Sequence, residues 1–339
     1  MQADSYLKKG LFIIFIFIVI IIGFSGCSVI YDYPPTSSNS ECTLYIKNYL
    51  GNTQNIHPKV LYFENGWRGY KFWMAYTPYP NGQTDAENPC IAVSDDGLRW
   101  ETPQGLVNPL ARARKGGYNS DTHLVYDHVA DRIECWWREY DISGNRDQIC
   151  RRTSSDGVHW NEREIILPYN DVYKARLSPA VWIEDGNYKI VYSNGSRLMF
   201  SESEYGSDLS AWSSPIEVPI AWNDLSAWHH DIIIDEDGDW ELLVCAFMQG
   251  GNNNTADLYY IKLSPDFNSV AIPHILLARG ERKADFDHRS IYRSSIVRVR
   301  DEIYIYYSCI DENWHRYMSL LHGHSIDDLR GLTPEDFPN

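Results

Sequence analysis

The sequence predicts an all-β fold, a five-bladed β-propeller. A strand–turn–strand unit recurs five times, a turn of fixed composition follows some of the copies, and no stretch of helical periodicity lies between them. The first copy runs from His57 through Val60-Leu-Tyr62 to Phe72-Trp73-Met-Ala-Tyr76. The second runs from Asp121 through Leu124-Val-Tyr126 to Ile133-Glu-Cys-Trp136-Trp137. Ser178, His230 and Arg293 open the third, fourth and fifth, which end in Tyr192-Ser193, Cys245 and Tyr307-Ser308. Strand repeats of this spacing describe radial sheets around an axis.

The recurrent turn is Ser94-Asp-Asp96-Gly97-Leu-Arg-Trp100, matched by Ser154-Ser-Asp156-Gly157-Val-His-Trp160. Asp and Gly supply the turn, and the Trp is expected to pack between neighbouring sheets. A ring must close by joining its last blade to a strand near a terminus. Thr43-Leu-Tyr45-Ile46 is the first candidate and the tail after Gly323 the second.

Composition supports this reading. The chain has 12 Trp, 24 Tyr and 11 Phe, which suits strands and ligand platforms. Its net charge is −16 with no run of Lys or Arg, so electrostatic capture of nucleic acid is excluded. Cys135 and Cys245 lie in apolar strands and read as free core thiols. Cys42, Cys90, Cys150 and Cys309 complete six whose pairing stays open, and none has zinc-ligand spacing.

Lys8 and Lys9 precede an apolar stretch, Leu11 to Ile22, too short for a comfortable membrane span. It ends Phe24-Ser25-Gly26-Cys27, which resembles a bacterial lipobox. The expected organisation is a leader over 1–26, a tether over 27–42 lipidated at Cys27, and the propeller over 43–339. Such a chain is a membrane-anchored extracytoplasmic lipoprotein, and a monomer.

In a propeller the first residues of the inner strands meet at one rim. His57, Asp121, Ser178, His230 and Arg293 should therefore converge, with Tyr76, Arg138-Glu139-Tyr140 and Asp311 around them. Glu87 lies just before the third strand of blade one. Tyr79, Tyr118, Tyr140, Trp228 and Trp314 fall in rim loops and read as carbohydrate platforms. Trp73, Trp100, Trp136 and Trp182 read as core. The Asn253-Asn254 loop is placed to meet a ligand.

This layout resembles the five-bladed glycoside hydrolases, the arabinanase, fructosidase and neoagarobiose-hydrolase superfamily (families 32, 43, 62, 68, 117 and 130). The resemblance implies acids on the first three blades. Asp121 matches the blade-two aspartate. His57 and Ser178 stand where the blade-one and blade-three acids would be. The resemblance also implies no required cofactor, save a calcium on the axis that His230 would hold through water.

Glycosidic cleavage needs one protonated and one ionised carboxyl group. Asp121 is expected to be one, with Asp231, Glu139 and Glu87 as candidate partners. Glu139, beside Arg138, suits a base. A histidine, His57 or His230, is the alternative acid. Substrate contacts are expected from His57, Tyr76, Arg138, Ser178, His230, Arg293, Trp228 and Trp314. The sequence thus predicts a glycosidase acting on an oligo- or polysaccharide. A non-catalytic glycan-binding lipoprotein on the same scaffold is the alternative.

Overall fold

Along Phe72-Trp73-Met74-Ala75-Tyr76, side chains alternate between two neighbouring blades. Phe72, Met74 and Tyr76 pack toward the fifth blade, Trp73 and Ala75 toward the second. Period-2 geometry sends successive side chains to opposite faces, and here both faces are covered. That is why the strands read as near-continuous apolar runs. The same split sends Trp136 toward blade three and Trp137 toward blade one. Five apolar clusters result, one between each pair of adjacent blades.

The structure is a computed structural model and describes residues 35–337 apart from 170–174 and 206–207. Blade one holds β1 (Asn55–Trp67), β2 (Tyr70–Pro78) and β3 (Cys90–Ser94). Blade two holds β4 (Gly117–Asp127), β5 (Arg132–Asp141), β6 (Arg146–Ser154) and β7 (Glu164–Leu167). Blade three holds β8 (Leu177–Glu184), β9 (Asn187–Ser193), β10 (Leu198–Tyr205), β11 (Asp208–Trp212) and β12 (Ile216–Glu217). Blade four holds β13 (Leu225–Ile234), β14 (Trp240–Met248), β15 (Asp257–Leu263) and β16 (His274–Leu277). Blade five holds β17 (Ser290–Val299), β18 (Glu302–Ile310), β19 (Arg316–Gly323) and β20 (Arg330–Gly331). Each sheet is an antiparallel meander that begins at the axis, so the fold is all-β with five blades.

Both candidates for ring closure take part. The Leu44 N–H donates to Met318 O at 2.8 Å, and the Ser319 hydroxyl donates to Cys42 O at 2.7 Å. β20 pairs with the same strand, β19, at Leu321 and His322. Ser37 and Ser40 also bond to blades four and five, through Leu276 O and Leu320 O. The docked chain therefore starts before residue 43. Residues 1–34, with the apolar stretch and Cys27, lie outside the described residues. Among the described residues no helix is long and apolar enough to cross a membrane.

The Asp-Gly turns do what their composition suggests. Ser94 Oγ accepts from the Gly97 N–H at 2.9 Å, and Trp100 Nε1–H returns to Gly97 O at 3.0 Å. Trp100 then lies edge-on to Tyr306 of blade five. Gly97 and Gly157 have φ near +77° and +78°, and a Cβ at Gly157 would overlap the Trp73 ring. Only glycine meets both demands. Trp73, Trp100 and Trp136 are buried and Trp182 partly buried, as expected of core residues. The six described cysteines are free; five are buried, among them Cys135 and Cys245, and Cys42 is partly so.

Candidate active site

The innermost strands are bulged where they enter the ring. Pairing of β1 with β2 slips between Ile56 and Lys59, β4 with β5 between Ser120 and His123, and β8 with β9 between Leu177 and Ala180. His57, Asp121 and Ser178 sit in those slips with φ of 58°, 56° and 53°. Left-handed backbone at non-glycine residues is costly and concentrates at functional sites. A bulge re-aims its side chain, and here His57 and Asp121 reach the wall of a central funnel of about 440 Å³.

On blades four and five the slips fall between Ala227 and His229 and between Ile291 and Arg293. Trp228, His229 and Tyr292 therefore line the funnel. His230 and Arg293, the expected leading residues, are fully buried and do not line it. His230 Nε2 lies 3.1 Å from Val191 O, which ties its ring to blade three. His229 and Tyr292 are the residues sequence reasoning missed. The one signal for the first was its place beside His230.

Asp121 is the hub. Its Oδ1 is 3.1 Å from His229 Nδ1 and 3.3 Å from His57 Nε2. Oδ2 accepts from Ser120 Oγ at 3.1 Å and lies 3.7 Å from Arg138 Nη1. Ser178 does not line the funnel but supports it, with Oγ 2.7 Å from His229 Nδ1. His57 Nδ1 is 2.8 Å from Thr77 Oγ1 and accepts from the Asp121 N–H at 3.2 Å.

Electrostatics separates the two buried acids of the wall. Glu87 Oε2 lies 4.0 Å from His57 Nδ1. Burial, reinforced by the Asp121 charge, pushes the Glu87 carboxyl well above the usual carboxylate range. Burial opposes ionisation of Asp121 too, but His57, His229 and Arg138 outweigh it and hold that carboxyl well below the range. Burial also lowers both His57 and His229, against the opposing pull of the Asp121 charge. Neutral imidazole is the form that ligates metal.

The other expected acids lie elsewhere. Asp231 does not line the funnel; its Oδ1 is 2.8 Å from Lys59 Nζ, and its Oδ2 accepts from the Ile296 N–H at 3.1 Å. This buried pair ties blade one to blade four. Glu139 is also outside the funnel wall, held by Arg114, Arg163 and Gln148 rather than by Arg138. Arg138 does line the funnel, pairs with Asp147 at 3.1 Å, and lies over the Tyr118 and Tyr140 rings.

The expected aromatics divide. Tyr79, Tyr118, Tyr140 and Trp228 line the funnel, with Asn253 and Asn254. Tyr76 belongs to the core between blades one and five, because strand alternation turns it away from the rim. Trp314 is 38% exposed but lies off the funnel, its ring covered by Arg289 at 3.8 Å. Asp311 is also off it, accepting from the Asn313 and His315 N–H groups.

His57, Asp121 and His229 each offer one ligand atom, and these lie within 4.8 Å of one another. The 3.1 and 3.3 Å that separate Asp121 Oδ1 from His229 Nδ1 and His57 Nε2 suit one ion, since ligands about 2.1 Å from a metal stand roughly 3.0–3.4 Å apart. His57 Nε2, the atom that faces Asp121, is also buried without a hydrogen-bond partner, as a site for an ion or water leaves it.

No protein-family model matches the chain. A curated protein of Flavonifractor plautii, the A type blood N-acetyl-α-D-galactosamine deacetylase, is 26% identical over 298 residues. That match takes in 74% of this chain but 38% of the relative, so the chain spans well under half the relative's length. Among solved structures, an N-acetylgalactosamine deacetylase from F. plautii in complex with blood group B trisaccharide has a TM-score of 0.69 at 20% identity. It covers 84% of this chain and 92% of its own. A thermostable family-43 glycoside hydrolase has a TM-score of 0.58 at 13% identity, covering 89% of this chain and 98% of its own. The chain is a five-bladed β-propeller related in fold to the family-43 glycoside hydrolases and to the N-acetylgalactosamine deacetylase of F. plautii.

Proposed function

We propose that the chain is a carbohydrate-active enzyme that hydrolyses the acetamide of an N-acetylated sugar bound in the funnel. The observation that carries this is the His57–Asp121–His229 cluster, whose separations suit a divalent ion. The name of the F. plautii relative points to the same reaction. An ion held there would polarise the acetyl carbonyl and acidify a water. Glu87, whose carboxyl burial pushes well above the usual range, would give its proton to the leaving nitrogen. Products are acetate and the free amino sugar. Tyr79, Tyr118, Tyr292 and Trp228 supply apolar faces for the sugar ring, and the Asn253 and Asn254 amides supply hydrogen bonds.

With no ion, the Asp121 N–H donates to His57 Nδ1, so Nε2 carries the ring proton. Loading an ion requires that proton to leave, or to move to Nδ1 beside Thr77. The axial calcium implied by the resemblance fits less well. Lys59 and buried Arg293 already bring two cations to the inner strands, and Asp231 is paired to Lys59.

Glycosidic hydrolysis is the second reading. It is favoured by the opposite displacements of Glu87 and Asp121, one neutral and one ionised. One experiment separates the two. Chelator-stripped protein is reloaded with zinc, manganese, cobalt or calcium and given a GalNAc-terminated oligosaccharide. Acetate release restored by one of these ions supports the first reading. Metal-independent release of monosaccharide supports the second. We further propose the lipid anchor at Cys27, with the leader over 1–26 and an extracytoplasmic monomeric domain, on the lipobox-like Phe24-Ser25-Gly26-Cys27.

A further inference from the structure

The connection between blades one and two carries a cleft whose charge opposes that of the chain. Arg112, Arg114, Arg152 and Arg163 line about 630 Å³, with Glu162 the one carboxylate residue on the wall. The whole chain carries −16, so four guanidinium groups around one cleft reverse the local field.

Two of the four share one carboxylate from below. Arg114 and Arg163 both pair with buried Glu139, Arg114 at 2.6 Å. The other two do not. Arg152 donates to the carbonyls of Leu110 and Asn161. Arg112 rests 5.5 Å over the Tyr49 ring. Among the described residues no carboxylate comes within ion-pair distance of Arg112, Arg152 or neighbouring Lys115.

The cleft adjoins the funnel. Ala113, between Arg112 and Arg114, donates its N–H to Asn88 Oδ1 at 2.9 Å. Asn88 follows Glu87, which is in the funnel wall. Tyr49, beneath Arg112, donates to Ala86 O at 2.9 Å. The loop that bears Arg112 is thus fixed to the segment that bears Glu87.

We propose that this cleft binds the sulfate or carboxylate groups of an acidic glycan whose N-acetylated end enters the funnel. Planar guanidinium forks suit such oxyanions. The proposal rests on the reading of the funnel as a glycan site and adds the class of glycan.

The test is calorimetric titration of the full chain with a chondroitin sulfate oligosaccharide, its desulfated counterpart, and vesicles containing phosphatidylglycerol. The sulfated chain is expected to bind, more weakly as salt rises, and the desulfated chain to bind far less. Arg112→Glu and Arg152→Gln should each weaken binding about tenfold, with acetate release from a neutral GalNAc trisaccharide unchanged. Arg112 is exposed and holds no backbone carbonyl, so its variant stays informative if Arg152→Gln disturbs the loop. Undiminished binding by Arg112→Glu, equal binding of the desulfated chain, or binding to the vesicles alone would overturn the proposal. Arginine-dependent binding without acetate release would instead count against the deacetylase reading and leave the cleft standing.

Discussion

Asp121 Oδ1 lies 3.1 Å from His229 Nδ1, so a residue of blade two meets one of blade four across the funnel. Ser178 closes the contact from blade three at 2.7 Å from the same nitrogen. Asp121→Asn keeps the shape of the side chain and removes its charge. We expect it to lose metal uptake and to lower acetate release by about 10³-fold or more. Circular dichroism of the variant should be unchanged.

Glu87→Gln tests the acid. Burial raises the Glu87 carboxyl well above its usual range, so it is neutral where an unfolded chain would be ionised. Activity that needs this proton is present at low pH and lost as pH rises through the raised value. The stability sign follows the same inequality. Above the unfolded pKa, the unfolded state gains from ionising while the folded state does not, so stability falls with pH until the folded value is reached. Glutamine removes that cost. Glu87→Gln should therefore be inactive by about 10²–10⁴-fold yet melt higher than wild type at pH 7.

Lys59→Met leaves Asp231 buried without its cation, beside His123 at 3.7 Å. Loss of one partner of a buried pair costs about 3–5 kcal/mol. Urea denaturation should show this, and Lys59→Met with Asp231→Leu should recover much of the loss. A single-variant loss below about 1 kcal/mol would give the pair the weight of a surface contact.

Gly157→Ala would force a methyl group into the Trp73 ring at a left-handed φ of 78°. Overpacking and backbone strain together should cost about 2–4 kcal/mol, read from the denaturation midpoint. Gly186→Ala, with φ of 80° but open space around it, should pay for strain alone and lose less.

The ring was legible because its physics is local. Period-2 apolar runs, Asp-Gly turns and a following Trp are written in contiguous residues, and they gave five blades and the Trp100 and Trp73 contacts. The site was legible where a polar residue leads an inner strand, as at His57 and Asp121. On blades four and five the slips bring His229 and Tyr292 to the wall, beside the expected Trp228, in place of His230 and Arg293. A bulge shifts the register by one residue and leaves no pattern in the residues around it. Partners of buried charges were equally hidden. Glu139 meets Arg114 and Arg163 rather than adjacent Arg138, and Asp231 meets Lys59, 172 positions away. Glu87 was found by its position but not by its protonation, which depends on burial and on the charge of Asp121.

The most direct test is the mass of the products formed from a GalNAc-terminated trisaccharide by metal-loaded protein. The account predicts an intact trisaccharide lighter by one acetyl group, with an equimolar amount of acetate, and neither product from Asp121→Asn. A free monosaccharide and a disaccharide that retains its acetyl groups would contradict it.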